Sequence, residues 1–175
     1  MKKKRKFIII LRGSPAVGKT TVAQLLTKKL HGKTAVLSID RIARLQIGYS
    51  IETFGRELPY QNTQLLEENF LKKGFNVIID DAFCDSDLSK KYFRKFFEIA
   101  KKNKARAVIV HLIANEKILL KRNLSRNKPP LKRRKILFLK KISSTKKIRS
   151  EILIDTSKLS KKEIVKRIFN LIKRE

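Results

Sequence analysis

The 175-residue sequence has no tryptophan, one cysteine, four prolines and six glycines, and its longest unbroken apolar run, Phe7 to Leu11, is five residues. Each shortage excludes something. Cys84 alone cannot close an internal disulfide, and no His/Cys cluster of zinc spacing accompanies His31 or His111, so neither a disulfide framework nor a structural zinc is expected. Five apolar residues fall far short of the roughly 20 needed to cross a bilayer. The basic cluster Lys2 to Lys6 imitates the start of a signal peptide, but Arg12 ends the apolar stretch before an h-region can form. The expectation is a cytoplasmic protein with no membrane partner. Acids are scarce as well: 15 Asp and Glu face 44 Lys and Arg, giving a net charge of +29 and a pI near 10.6. Ion-pair networks need both signs, so this excess predicts a strong field for anions and a polyanionic partner or substrate.

Apolar residues nevertheless make up 42 % of the chain, ten of them Phe, which suffices for a core. The length is that of one domain, taken as residues 1–175. Phe7 to Leu11 is short, β-branched and closed by Gly13, the pattern of a strand buried on both faces. Lys19 to Leu30 carries apolar residues at helical spacing and stops at Gly32. Thr34 to Ile39 predicts a second strand leading into Asp40, and Asn62 to Lys73 a helix, with Gly48 to Tyr60 irregular between them. Phe75 to Ile79 predicts a third strand running into Asp80 and Asp81. The next helix is Ser86 to Lys102, with Ser86 as N-cap and Tyr92, Phe93, Phe96, Phe97 and Ala100 on its buried side. Ala105 to Ala114 reads as a fourth strand, and Asn115 caps a helix through about Arg126 that breaks at Asn127 to Pro130. A basic stretch to Arg149 is read as helical through Ile136, Leu137, Leu139 and Ile142, and Glu151 to Asp155 as a fifth strand. Ser160 and Glu163 form a capping box for the last helix. Five alternations of strand and helix argue for an α/β fold, a parallel sheet covered by helices on both faces.

Gly13-Ser14-Pro15-Ala16-Val17-Gly18-Lys19-Thr20 matches GxxxxGK[ST] in full and lies between a strand and a helix. In such a P-loop the glycines let successive N–H groups face inward, and the helix N-terminus adds its positive end. Lys19 reaches the β- and γ-phosphates, and the Thr20 hydroxyl ligates the bridging Mg²⁺, with Thr21 beside it. No Asn/Thr-Lys-x-Asp guanine motif is present, so ATP with Mg²⁺ is the implied cofactor. Asp40 stands at the carboxyl end of the second strand, the ligand-binding edge, where it can act as general base on an acceptor hydroxyl. The alternative is that it caps the segment starting at Arg41. Asp80 and Asp81 end a hydrophobic strand in the Walker B manner; Asp80 is assigned to Mg²⁺ and Asp81 to the acceptor side or to a structural cap. Arg122 and Arg126 are four apart on one helix face and can neutralise charge on a transferring phosphoryl from a movable lid at about 122–135.

These elements together, GSPAVGKT at 13–20, SIDR at 38–41, NVIIDDAF at 76–83, LLKRNLSRN at 119–127 and ILIDTS at 152–157, resemble the small P-loop kinases that include chloramphenicol phosphotransferase, the kinase domain of phage polynucleotide kinase and zeta toxin. The resemblance implies the P-loop NTPase fold with strand order 2-3-1-4-5, the acid matching Asp40 as base, and Arg122 and Arg126 as lid arginines. Polynucleotide kinases carry an arginine three residues after that acid, where this chain has Ala43; Arg41 or Arg44 would take its place at the acceptor. From Lys117 to Arg149 there are fourteen basic residues and no acid, which suits an acceptor bound through phosphates, such as an RNA or DNA end. The expected activity is an ATP-dependent kinase acting on a hydroxyl, of a nucleic acid or a small-molecule alcohol. The alternatives are a nucleoside monophosphate kinase similar to adenylate kinase, or a nucleic-acid-binding ATPase or switch.

Overall fold

Five parallel strands form one sheet in the order β2-β3-β1-β4-β5 in the computed structural model, which describes residues 5–45, 57–82, 87–125, 129–144 and 150–173. The strands are β1 (Lys6–Arg12), β2 (Thr34–Ser38), β3 (Asn76–Asp80), β4 (Ala105–Ile113) and β5 (Ile152–Asp155). Described helices are α1 (Lys19–Thr27), α2 (Ile39–Ala43), α3 (Glu57–Lys72), α4 (Asp87–Lys102), α5 (Glu116–Leu124), α6 (Arg133–Ser144) and α7 (Lys161–Lys173). The order is the one implied by the small-kinase resemblance.

Successive side chains of a strand point to opposite faces, and β1 is apolar on both. Ile8 and Ile10 join Val77, Ile79 and Ile109 under Tyr60 and Leu71 of α3 and Tyr92 and Phe96 of α4. Ile9 and Leu11 join Ile78 and Val110 under α1 and α7, through Val22, Leu26, Ile164 and Ile168. The central strands therefore have no face left for water, as parallel sheets require, while Val36 of β2 and Leu153 of β5 are exposed on the edge strands. Register does the rest. Leu11 pairs with Asp80, Ser38 with Asp80, Arg12 with His111, and Ile113 with Asp155, so the carboxyl ends of all five strands meet along one edge.

Local chemistry fixes the ends. Asn115 accepts a hydrogen bond from the Ile118 amide at 2.9 Å, a cap that stabilises α5 by about 1 kcal/mol. Ser160 and Glu163 close the expected capping box, with the Ser160 amide donating to Glu163 Oε2 at 2.8 Å and the Glu163 amide to Ser160 Oγ at 3.3 Å. One boundary is corrected. Helix α3 begins at Glu57, not Asn62, so 57–60 are helical where the sequence reading had an irregular segment. Pro59 lies in the first turn, where its missing N–H has no intrahelical partner to lose. The expected Ser86 cap, Cys84, Arg126 and residues 48–56 lie outside the described residues. Among the described residues no helix is long and apolar enough to cross a membrane.

Candidate active site

The loop between β1 and α1 is shaped by three left-handed residues. Gly13 has φ +137°, and a Cβ there would stand 2.2 Å from the Leu112 carbonyl oxygen of β4, so only glycine lets the loop lie this close to the sheet. Gly18, at φ +105°, turns the chain into α1, and Ala16 at φ +64° holds the tip in a conformation uncommon for a residue with a Cβ. Ser14 and Val17 are buried, whereas Pro15 and Ala16 are half-buried at the rim. Lys19 folds back along the loop, its ammonium donating to the carbonyls of Gly13 at 2.8 Å and Ser14 at 3.1 Å. The next residue reaches across the sheet: the Thr20 hydroxyl donates to Asp80 Oδ2 at 2.6 Å.

The two consecutive acids divide. Asp80 faces Thr20, while Asp81, 2 % exposed, accepts a 2.7 Å hydrogen bond from the buried Tyr60 hydroxyl on α3. Tyr60 stacks on Tyr92 of α4, with ring centroids 4.6 Å apart and planes 7° from parallel. Tyr92 in turn donates to Glu57 at 2.8 Å. That contact and burial push the Tyr92 phenol up to about 12. Asp40 is the second residue of α2 and is exposed; Ser38, not Asp40, occupies the N-cap position. Among the described residues Asp40 makes no hydrogen bond or ion pair, and Arg41 and Arg44 are exposed on the same short helix.

Arg122 is turned toward the loop. It donates to the Val17 carbonyl at 3.3 Å, to Thr156 Oγ1 at 2.9 Å and to the Thr156 carbonyl at 2.8 Å. Burial lowers its pKa from the ordinary arginine value, while Asp155 works the other way. Asn123 of α5 bonds both ways with Leu131, at 2.9 and 3.0 Å, and Arg133 pairs with Glu116 at 2.6 Å, joining α6 to α5.

A buried charge cluster at the same edge was not anticipated. Arg12, 2 % exposed and next to Gly13, pairs with Glu151 at 2.8 Å and donates to the Ser143 carbonyl at the end of α6 at 2.6 Å. His111 Nδ1 lies 3.3 Å from the other oxygen of Glu151. Burial lowers the His111 pKa, and Arg12 adds to the effect, so the imidazole stays neutral near pH 7 despite Glu151. Removing one partner of such a pair costs about 3–5 kcal/mol, because the other is left charged in the interior. The cluster thus joins β1, β4, α6 and the start of β5 at the lip of the loop. A charge closing an apolar strand, Arg12 after Phe7 to Leu11, was the sequence signal for it; which residues it faces depends on register.

The glycine-bent loop, a lysine and a Thr–Asp pair have the chemistry to hold a nucleotide's phosphates and a magnesium ion. At Gly18 nothing lies within 4 Å of where a Cβ would stand, so the backbone is open to phosphate there, and hydroxyl and carboxylate oxygens are the hard donors Mg²⁺ takes. Among the described residues no three His, Cys, Asp or Glu gather as metal ligands, so such an ion would complete its shell from phosphates and water.

Fold and site together define a P-loop protein with the architecture of a small kinase. Residues 8–137 match the family described as an AAA domain, and the chain belongs to it. The L-seryl-tRNA(Sec) kinase of Methanococcus maripaludis is 34 % identical over 122 residues, which are 68 % of this chain and 46 % of that protein. The chain therefore spans about half the length of this curated relative. Two solved structures share the fold. Mycobacterium tuberculosis APS kinase CysC, in complex with AMPPNP and APS, superposes with a TM-score of 0.72 at 15 % identity, over 96 % of this chain and 98 % of the other. Acinetobacter baumannii shikimate kinase, in complex with shikimate, has a TM-score of 0.59 at 18 % identity, over 97 % and 96 %.

Proposed function

We propose that this protein is an ATP-dependent kinase that transfers the γ-phosphate to a hydroxyl carried by a nucleic-acid-linked acceptor. The observation that carries the reading is the arrangement of acids along one sheet edge. Asp80 is bonded to the P-loop threonine, and Asp40 is exposed and without a partner among the described residues. A metal-side acid and an available base are what transfer to a hydroxyl requires.

In this reading Gly13, Ser14, Pro15, Ala16, Val17, Gly18 and Thr21 shape the phosphate nest, and Lys19 leaves the Gly13 and Ser14 carbonyls to meet the β- and γ-phosphates. Thr20 and Asp80 hold Mg²⁺, which when bound offsets the charge shared by those phosphates. Asp40 accepts the proton of the attacking hydroxyl. Arg41, Arg44 and Asp81 contact the acceptor, and Arg126, with Arg122 behind the loop, belongs to the lid that neutralises the transferring group. The acceptor class draws support from the net charge of +29 and from the curated relative, a kinase named for a seryl-tRNA. The cytoplasm, where ATP and RNA meet, is the proposed location.

The test is incubation with γ-labelled ATP and Mg²⁺ against aminoacylated and free tRNA, RNA and DNA ends, nucleosides and small alcohols. Label that migrates with the RNA-linked acceptor on an acidic denaturing gel is the expected outcome. Label appearing only on nucleoside monophosphates would move the protein to the nucleotide kinases.

A further inference from the structure

At the opposite edge of the sheet, where the strands begin, lies a cavity of about 300 Å³ that the nucleotide site does not use. Its floor is apolar and partly aromatic, made by Phe7 of β1, Leu30 after α1, and Phe169 and Ile172 of α7. The rim is basic, with Arg5, His31, Arg106 and Lys173, and none of its described residues is an acid. The walls are fixed. The buried Asn76 side chain accepts from the Phe7 amide at 3.0 Å and donates to the His31 carbonyl at 3.0 Å, while Arg106 donates to the Ile172 carbonyl at 2.7 Å. One further charge, Lys29, joins Lys173 at the floor: they stand 5.8 and 4.5 Å from the centre of the Phe169 ring.

We propose that this cavity binds one unpaired nucleotide of an RNA chain, the base on the aromatic floor and the flanking phosphates on the rim. The volume is at the low end of the range for ligand pockets, about 300–1,000 Å³, and so suits a single flat base and sugar rather than a duplex. Aromatic floors accept any base face, and cations around them track a phosphate backbone. A lipid or acyl anion would meet the same apolar floor with a single charge, whereas Arg5 and Lys173 offer two. A polyanion matches it on several sides. The seven residues of β1 place the cavity about 20 Å from Gly13, so an RNA held here is gripped away from the transferred phosphate. The inference rests on the acceptor being RNA-borne, and it is tested without turnover so that the two fail separately.

The experiment is fluorescence anisotropy of a labelled single-stranded RNA across a salt series, with AMPPNP and Mg²⁺ saturating the P-loop. Arg5→Glu/Lys173→Glu is compared with Arg94→Glu/Lys101→Glu, an equal charge change at exposed positions of α4 that do not line the cavity. The rim variant should lose about tenfold or more in affinity at 0.1 M salt. If both side chains contact phosphate, the slope of log affinity against log salt should become shallower by about 1.4. The control should lose under about threefold. Phe169→Leu, which keeps apolar packing and removes the ring, should cost at least about fivefold. RNA carrying 4-thiouridine should crosslink to peptides containing Phe7, His31 or Phe169. Equal losses in both charge variants, or crosslinks confined to other surfaces, overturn the proposal. So does adenosine monophosphate that competes as well as RNA and without salt dependence, since the ligand would then be a free nucleotide. Absence of RNA phosphorylation with these binding results intact would count against the acceptor reading alone.

Discussion

Tyr60 donates its hydroxyl to Asp81 across 2.7 Å, and this bond is what separates two neighbouring acids that the sequence presents as equivalent. Asp81 is held on the α3 side by a ring clamped against Tyr92, which leaves Asp80 to Thr20. Asp80→Asn should therefore raise the Mg²⁺ concentration needed for half-maximal turnover by about tenfold or more, with Asp81→Asn acting instead on acceptor KM. A magnesium titration of both variants, with acceptor varied in parallel, distinguishes them. The reverse pattern would exchange the two roles.

Lys19→Ala should abolish phosphoryl transfer and leave the fold intact, because its ammonium bonds only to loop carbonyls and supports little packing. Circular dichroism and turnover are read on the same sample. Retained turnover contradicts the P-loop assignment.

Asp40→Asn should lower kcat by about 10²-fold or more, the range of a positioned base, with ATP affinity by calorimetry nearly unchanged. Its exposed position on α2 means that the fold should not suffer. A near-normal kcat would falsify the base assignment and favour transfer to a phosphate.

Arg122→Ala should weaken ATP binding and lower the melting temperature by several degrees. Its guanidinium bonds the Val17 and Thr156 carbonyls, and each lost hydrogen bond from a charged donor costs about 1.5–3 kcal/mol. Arg122→Lys should rescue only part of this, since a point charge cannot span three acceptors. A kcat loss with unchanged ATP affinity and melting temperature would mean instead that the side chain swings onto the transferring group.

Glu67 supplies a pH dependence. It is fully buried on α3 with neither carboxylate oxygen hydrogen-bonded, and burial pushes its pKa from 4.5 up to about 9. The folded state holds a proton that the unfolded chain gives up, so its stabilising share is complete below about pH 4.5 and is lost as pH rises toward 9. At pH 7 that amounts to about 3 kcal/mol. Glu67→Gln should raise the melting temperature at pH 8 and flatten its decline between pH 6 and 8 in a calorimetric pH series. A decline as steep as wild type would assign it to other groups.

The legible parts were those written locally. GSPAVGKT and the alternation of short apolar runs with amphipathic helices require no knowledge of distant residues, and the sheet class and the strand–loop–helix setting of the motif followed from them. Strand order came through resemblance, since alternation alone does not set it. Partnerships made by register were illegible: Arg12 meets His111 and Glu151, and Thr156 meets Arg122, only once β1, β4 and β5 lie side by side. Pro59 misled because proline breaks a helix everywhere except its first turn. Glu67 carried a readable sign that went unused: Tyr60, Gln64, Glu67 and Leu71 recur on one face of α3, placing a carboxylate on the buried side.

Arg12 and Glu151 are 139 residues apart, and Val17 and Thr156 are separated by the same interval. On a ribosome moving at about 5–20 residues per second, roughly 7–28 s pass between synthesis of the phosphate loop and synthesis of the residues that brace its two sides. Throughout that interval the nascent chain carries the complete GSPAVGKT signature without the carboxylate and hydroxyl against which the loop is set. The nucleotide-binding edge is thus begun 139 residues before its braces are made, and a chain clipped ahead of residue 150 would display the motif without its supports.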